Sequence, residues 1–226
     1  SESTAKLTGG GDLSATRIDV PADISSAAFF MVAAAITPGS EINLQHVGIN
    51  PTRVGVINIL RQMGTHISLS NQREVGGEPV ADIKVEYGKL KGIDIPADQV
   101  PLAIDEFPVL FIAAACAEGT TTLTGAEELR VKESDRIQSM ADGLVTLGVD
   151  ARSTADGIVI VGGQLGGRYV RSHHDHRIAM AFAIAGLRAT DEIVVEGCNN
   201  VATSFPNFID AASAIGLDIS VETNHD

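Results

Sequence analysis

Asp23 to Val47, DISSAAFFMVAAAITPGSEINLQHV, carries the pattern on which the reading of the whole chain turns. An acid opens it, and Ser25 to Ile36 is an apolar run with alanines where helices pack closely. Pro38-Gly39 breaks that run, and Glu41 to Val47 alternates apolar and polar residues as a strand does. Pro51 to Met63 then reads as a second helix, with Val54, Ile57, Leu60 and Met63 at helical spacing and Gly64 as its stop. His66 to Ser70 and Ala81 to Tyr87 are the strands that follow.

The same grammar recurs twice. Asp105 opens an apolar helix from Phe107 to Ala117; Gly119 ends it, and Thr120 to Thr124 is a strand. Ser134 to Leu147 is a helix with Ser134 as a plausible N-cap and Gly148 as its stop, and Gly157 to Val161 is a later strand. Asp175 opens Arg177 to Leu187, followed by a strand at Ile193 to Glu196, a helix at Phe208 to Ile215 and a closing strand at Asp218 to Val221. Opening acids spaced about 70–80 residues apart fit a β-α-β-α-β-β unit rather than a small solenoid repeat. One such unit cannot bury its helices alone, so three should share a core. The expectation is an α/β domain over 17–226, with repeats at about 17–88, 89–163 and 164–226, the last lacking an edge strand. Lys6 to Val20 reads as a strand and hairpin, with residues 1–16 belonging to something upstream. Its Gly9-Gly10-Gly11 is no phosphate loop, since no Lys-Ser or Lys-Thr follows.

Composition narrows the function classes. The 226 residues are 44% hydrophobic, without tryptophan, and carry a formal charge of −13, which argues against nucleic acid as a partner. A small anionic substrate needs only a few local cations and helix N-termini. The apolar runs are too short to cross a bilayer, and Ser1 to Gly11 does not read as a signal peptide. Cys116 and Cys198, far apart and outside any C-x-x-C pattern, read as small buried or half-buried thiols, and the expected compartment is cytoplasmic.

Three clusters carry the polar chemistry. Glu127 to Arg136, EELRVKESDR, holds seven charged side chains in ten residues. Glu133 and Arg136, three apart, share a face if they lie within a helical turn, and Lys132 lies just before it. A carboxyl among fixed cations can move protons, and Arg136 can grip an anion at two points; a solvated helix start with ordinary ion pairs explains the composition equally well. His173-His174-Asp175-His176-Arg177 raises a metal site, but no fourth ligand has convincing spacing. A helix start presenting Arg177 to an anion, with His176 beside it, fits better. Asp105-Glu106-Phe107-Pro108 puts two acids before an apolar helix, where capping and the helix dipole suffice, as they do for Asp23 and Asp175.

Arg130 to Arg136, RVKESDR, resembles the signature of the 5-enolpyruvylshikimate-3-phosphate synthase family (3-phosphoshikimate 1-carboxyvinyltransferases). Asn50-Pro51-Thr52-Arg53, Ile104 to Pro108, Asp175 to Met180 and Ala202-Thr203-Ser204-Phe205-Pro206 resemble further family segments, in family order, from about Lys6 to Val221. The resemblance implies one of two similar domains, each of three β-α-β-α-β-β units around a pseudo-threefold axis, with the active site in the cleft between them. It implies that this is the C-terminal part and that the N-terminal half is a missing partner. By the same resemblance the substrates are phosphoenolpyruvate and shikimate 3-phosphate, with no metal or organic cofactor. Asp105 would be the base at the 5-hydroxyl, Lys132 a shikimate contact, and Glu133 the proton shuttle at the methylene carbon. Arg136 and Arg177 would clamp phosphoenolpyruvate. Thr203 stands where many members have lysine, a feature, like the Asp105–Pro108 segment, of the variant branch that includes glyphosate-tolerant bacterial enzymes. The enolpyruvyl transferase acting on UDP-N-acetylglucosamine shares the scaffold but lacks RVKESDR. A non-catalytic binding or assembly half-domain is the rival of another class.

Overall fold

Three helices are apolar on every side and must therefore be surrounded by protein. They are α1 (Ile24–Ile36), in which only Ser26 escapes burial, α3 (Phe107–Ala115), buried throughout, and α5 (His176–Ala185), buried over most of its length. In the computed structural model, which describes residues 4–12 and 14–222, these three touch one another pairwise. Alanines at 33–35, 113–115 and at 179, 181, 183 and 185 lack the bulk to hold the helices apart. Each fully buried Phe, Ile or Met in them contributes about 1.5–3 kcal/mol of apolar transfer free energy.

The sheets lie outside this trio. Strands β1 (Glu41–Gly48), β2 (His66–Val75) and β3 (Glu78–Glu86) form an antiparallel sheet in the order β1-β3-β2. Strands β4 (Thr120–Leu123), β5 (Asp150–Thr154) and β6 (Gly157–Val161) repeat it as β4-β6-β5. Strands β7 (Tyr169–Arg171) and β8 (Val194–Glu196) form a two-stranded parallel sheet. The segment ahead of each central helix runs parallel to the strand after it. Ala22 bridges Val47, Asp94 bridges Thr122, and β7 pairs with β8. The second helices are α2 (Gly55–Met63), α4 (Arg136–Thr146) and α7 (Phe208–Ala214), the last following the short α6 (Val201–Ser204). Phe205 and Phe208 pack on Phe29 and Phe30 of α1 at ring separations of 5.9–6.0 Å, so the Ala202–Pro206 segment closes one side of the core.

Local chemistry moves several expected boundaries. The second helix of the first repeat begins at Gly55, not Pro51, because the Asn50 side chain accepts from the Thr52 N–H at 3.0 Å and folds residues 50–53 into a turn. The N-cap of α4 is Asp135, whose carboxylate accepts from Gln138 N at 3.0 Å; Ser134 donates elsewhere. Strands β2 and β3 extend into a hairpin closed by Gly76 and Gly77, both at positive φ (62° and 86°), which a two-residue turn of this hand requires. The short strands β5 and β7 were not anticipated. Among the described residues no strand forms over Asp218–Val221, where Ile219 packs half-buried against the core beside the buried Leu217. The hairpin expected over Lys6–Val20 is also absent from the described residues; Leu13 lies outside them. A hairpin needs one face buried, and Leu7, Ile18 and Val20 are all exposed. Among the described residues no helix is long and apolar enough to cross a membrane.

Candidate active site

The three central helices begin at the same end of the core. Asp23 caps α1, accepting from Ser26 N at 3.0 Å, and Asp175 caps α5, accepting from Arg177 N at 2.9 Å. Asp105 breaks the pattern. It precedes α3 but caps nothing, and its carboxylate, 39% exposed, faces Arg136 Nη1 at 3.3 Å and Lys132 Nζ at 3.6 Å. Capping therefore accounts for two of the three opening acids and leaves Asp105 for other work.

Arg136, the first residue of α4, lies at the centre with its side chain 1% exposed. Nε donates to Asp175 Oδ2 at 2.8 Å, Nη2 to Glu133 Oε2 at 2.5 Å and to Asp175 Oδ1 at 3.5 Å, and Nη1 to Asp105. A guanidinium among three carboxylates is spatially locked, with every nitrogen engaged. The Glu133–Arg136 pair forms across the bend at residues 132–134 rather than along a helical turn, since α4 starts only at Arg136. Glu133 is 51% exposed, which leaves its free oxygen open to solvent or ligand. Lys132 turns away from Glu133 and contacts Glu128 and Asp105. Arg177 donates from Nη1 to the Asp105 carbonyl at 3.1 Å. All five residues singled out by resemblance, Asp105, Lys132, Glu133, Arg136 and Arg177, thus meet in one connected cluster.

Its electrostatics favour ionised carboxylates. Burial opposes the charge on Asp105, but Arg177, Lys132 and Arg136 outweigh it and hold the carboxyl below its ordinary value. Burial likewise opposes charge on Asp175, and the hydrogen bond and charge of Arg136, with Arg177 N and Ser134 Oγ, prevail. The hydrogen bond to Glu128 raises Lys132, reinforced by Asp105. Burial, then the charge of Arg177, pulls His176 below the ordinary imidazole value and so favours its neutral form. His173 and His174 take left-handed φ (53° and 60°) in the turn before α5, and Asp175 beside them is committed to Arg136. Thr203 is exposed on α6, its hydroxyl donating to the Asn200 carbonyl at 2.7 Å.

Sequence reading missed the second task of Asp175, whose two oxygens serve Arg136 as well as the cap, and it gave no task to Arg53, Ser25 or Glu106. Arg53 reaches Asp23 at 3.0 Å and Ser25 Oγ at 2.8 Å, and Ser25 donates to Glu106. For Ser25 and Glu106 the local signal was a polar residue at the start of an apolar helix; the exposed Arg53 carried none.

The model of the EPSP synthase (3-phosphoshikimate 1-carboxyvinyltransferase) family matches residues 1–211. The chain is 69% identical over 212 residues to the 3-phosphoshikimate 1-carboxyvinyltransferase of Methylococcus capsulatus, an alignment covering 94% of this chain and 48% of that protein. It is 61% identical to the enzyme of the same name from Hydrogenovibrio crunogenus, again over 48% of the relative. A solved structure of EPSP synthase from Acinetobacter baumannii superposes with a TM-score of 0.92 at 59% identity, over 96% of this chain and 51% of that one. The chain spans about half the length of the curated relatives it matches. On this match, the chain belongs to the EPSP synthase family.

Proposed function

We propose that this chain forms one wall of the active site of an enolpyruvyl transferase that joins phosphoenolpyruvate to the 5-hydroxyl of shikimate 3-phosphate and releases phosphate. The observation that carries the reading is Asp105: an acid freed from capping, half-exposed, and ringed by Lys132, Arg136 and Arg177. Three cations, Arg136 and Arg177 in the first turns of α4 and α5 and Lys132 in the bend ahead of α4, suit ligands bearing phosphate and carboxylate groups. A bound polyanion would neutralise the charges that depress Asp105, raising its proton affinity where a hydroxyl must be deprotonated.

In the proposed reaction, protonated Glu133 delivers its proton to the methylene carbon of phosphoenolpyruvate, making it a methyl group and leaving the adjacent carbon cationic. Asp105 takes the 5-hydroxyl proton as that oxygen bonds to the cationic carbon. Glu133 then removes a proton from the methyl group of the adduct as the carbon–oxygen bond to phosphate breaks, and the proton held by Asp105 passes to the departing phosphate. Arg136 and Arg177 balance the carboxylate and phosphate charges throughout. The chain is the C-terminal part of the enzyme, arranged about a pseudo-threefold axis, and its partner is the N-terminal half. The two-stranded β7–β8 sheet, where the other repeats have three strands, is the edge at which that repeat would be completed. The Asp105–Pro108 segment and Thr203 support placement in the variant branch that includes glyphosate-tolerant bacterial enzymes.

The test is phosphate release from the two substrates by this chain alone and by this chain mixed with the separately expressed other half of the Methylococcus capsulatus relative. Release is expected on mixing, and is expected to vanish with Glu133→Gln. An associated but inactive pair would overturn the catalytic reading in favour of a binding half-domain. Turnover by the chain alone would refute the need for two walls.

A further inference from the structure

Glu106 is the buried carboxyl beside the site for which the proposed chemistry has no use. Its residue is 5% exposed and occupies the N-cap position of α3, yet its side chain makes no cap hydrogen bond. Instead Oε1 accepts from Ser25 Oγ at the start of α1, and Ser25 Oγ accepts from Arg53 Nη2 at 2.8 Å. The same Oε1 stands 3.9 Å from Arg177 Nη1, the nitrogen that donates to the Asp105 carbonyl. One line of donors and acceptors thus joins the 50–53 turn and the starts of α1, α3 and α5. Its polarity is consistent at each step: arginine donates, the hydroxyl accepts and donates, the carboxylate accepts. Burial pushes the Glu106 carboxyl up, opposed by the Ser25 hydrogen bond and by Arg177. A buried carboxyl with so few partners is a poor source of stability compared with an apolar side chain of its size.

We infer that Glu106 is a positioning residue: it holds the Arg177 guanidinium on the Asp105 carbonyl, and Ser25 and Arg53 hold Glu106 in turn. Without it, Arg177 is left to the pull of the Asp105 carboxylate, whose charge it already feels. Arg177 would then occupy the group proposed as base and withdraw from an incoming anion. This consequence rests on the proposed reading of Arg177 as an anion-binding residue; the positioning itself does not.

The experiment separates the two. Arginine side-chain nitrogen NMR on this chain, with the Arg177 signals assigned through Arg177→Lys, reports rotation of the guanidinium about its Cζ–Nε bond. Glu106→Gln still accepts from Ser25 but no longer attracts Arg177, and Ser25→Ala leaves Glu106 unheld. Faster rotation of Arg177 by several-fold in both variants, with native backbone spectra, is expected. Unchanged rotation in a folded variant of either kind would overturn the proposal, and if Glu106→Gln fails to fold, Ser25→Ala decides. In the reassembled enzyme, Glu106→Gln should raise KM for phosphoenolpyruvate and lower kcat together, cutting kcat/KM by about tenfold or more. Arg177 released in the variants of a chain whose assembled form binds no phosphoenolpyruvate would uphold the positioning and remove the anion reading.

Discussion

Arg136 Nε lies 2.8 Å from Asp175 Oδ2, and neither side chain is more than 1% exposed. The pair ties the first residue of α4 to the cap of α5, two elements separated by 39 positions in the chain. It also presents the remaining guanidinium nitrogens to Asp105 and Glu133, so a buried structural contact aims the exposed chemistry.

Breaking that pair from one side leaves the buried Arg136 Nε without its acceptor and its charge balanced only by the more exposed Asp105 and Glu133. Asp175→Ala should lower the unfolding free energy by about 3–5 kcal/mol, read from urea midpoints. A loss under about 1 kcal/mol, the range of an exposed pair, would show that water reaches Arg136.

Acid should act on the carboxylates in opposite senses. Asp175 and Asp105 have lowered values, so their stabilisation is present above the unfolded value of about 3.9 and fades as pH falls through the folded values. Glu106 is raised, so its contribution is fully present below the unfolded value of about 4.3 and is lost as pH rises through the folded one. Urea unfolding at a series of pH values should therefore show Glu106→Gln gaining stability relative to the parent as pH rises above that point. A constant difference across the series would contradict the sign of the Glu106 shift.

The two candidate caps of α4 can be told apart. Asp135→Ala removes the acceptor for Gln138 N and should cost about 1 kcal/mol, chiefly as lost helix stability. Ser134→Ala leaves the cap intact and removes one donor to Asp175, so its effect should shrink when combined with Asp175→Ala in a double-mutant cycle.

Packing between α4 and α5 depends on Gly143. A Cβ there would sit 2.1 Å from Phe182 Cζ, with Phe182 buried on α5. Gly143→Ala should cost about 1–3 kcal/mol in thermal or urea unfolding despite the better helix propensity of alanine. A neutral or stabilising result would mean that the ring moves aside without loss.

Much of the fold was legible because its signals are local and repeated. Asp23, Asp105 and Asp175 each precede an apolar helix, and the glycines after α2 and α4 stop them where expected. Boundaries slipped where a side chain competed for the backbone, as Asn50 does for Thr52 N, or where an expected strand found no pairing among the described residues, as at Asp218–Val221. The strands β5 and β7 were missed because short, partly exposed strands carry little periodicity of their own.

By itself the sequence determined the alternation of buried helices with strands, the helix starts that gather cations, and the residue types Asp105, Lys132, Glu133, Arg136 and Arg177. The helices, strands and helix starts follow from hydrophobic period and capping chemistry, which act over a few residues, whereas the five site residues were singled out by resemblance to the EPSP synthase family. Only the tertiary structure decided that Asp105 caps nothing, that Asp175 both caps α5 and neutralises Arg136, and that Lys132 answers to Glu128 and Asp105 rather than to Glu133. The reason is that ion pairing is set by which helix ends the shared core brings together, and that distance is not written in any local stretch of chain.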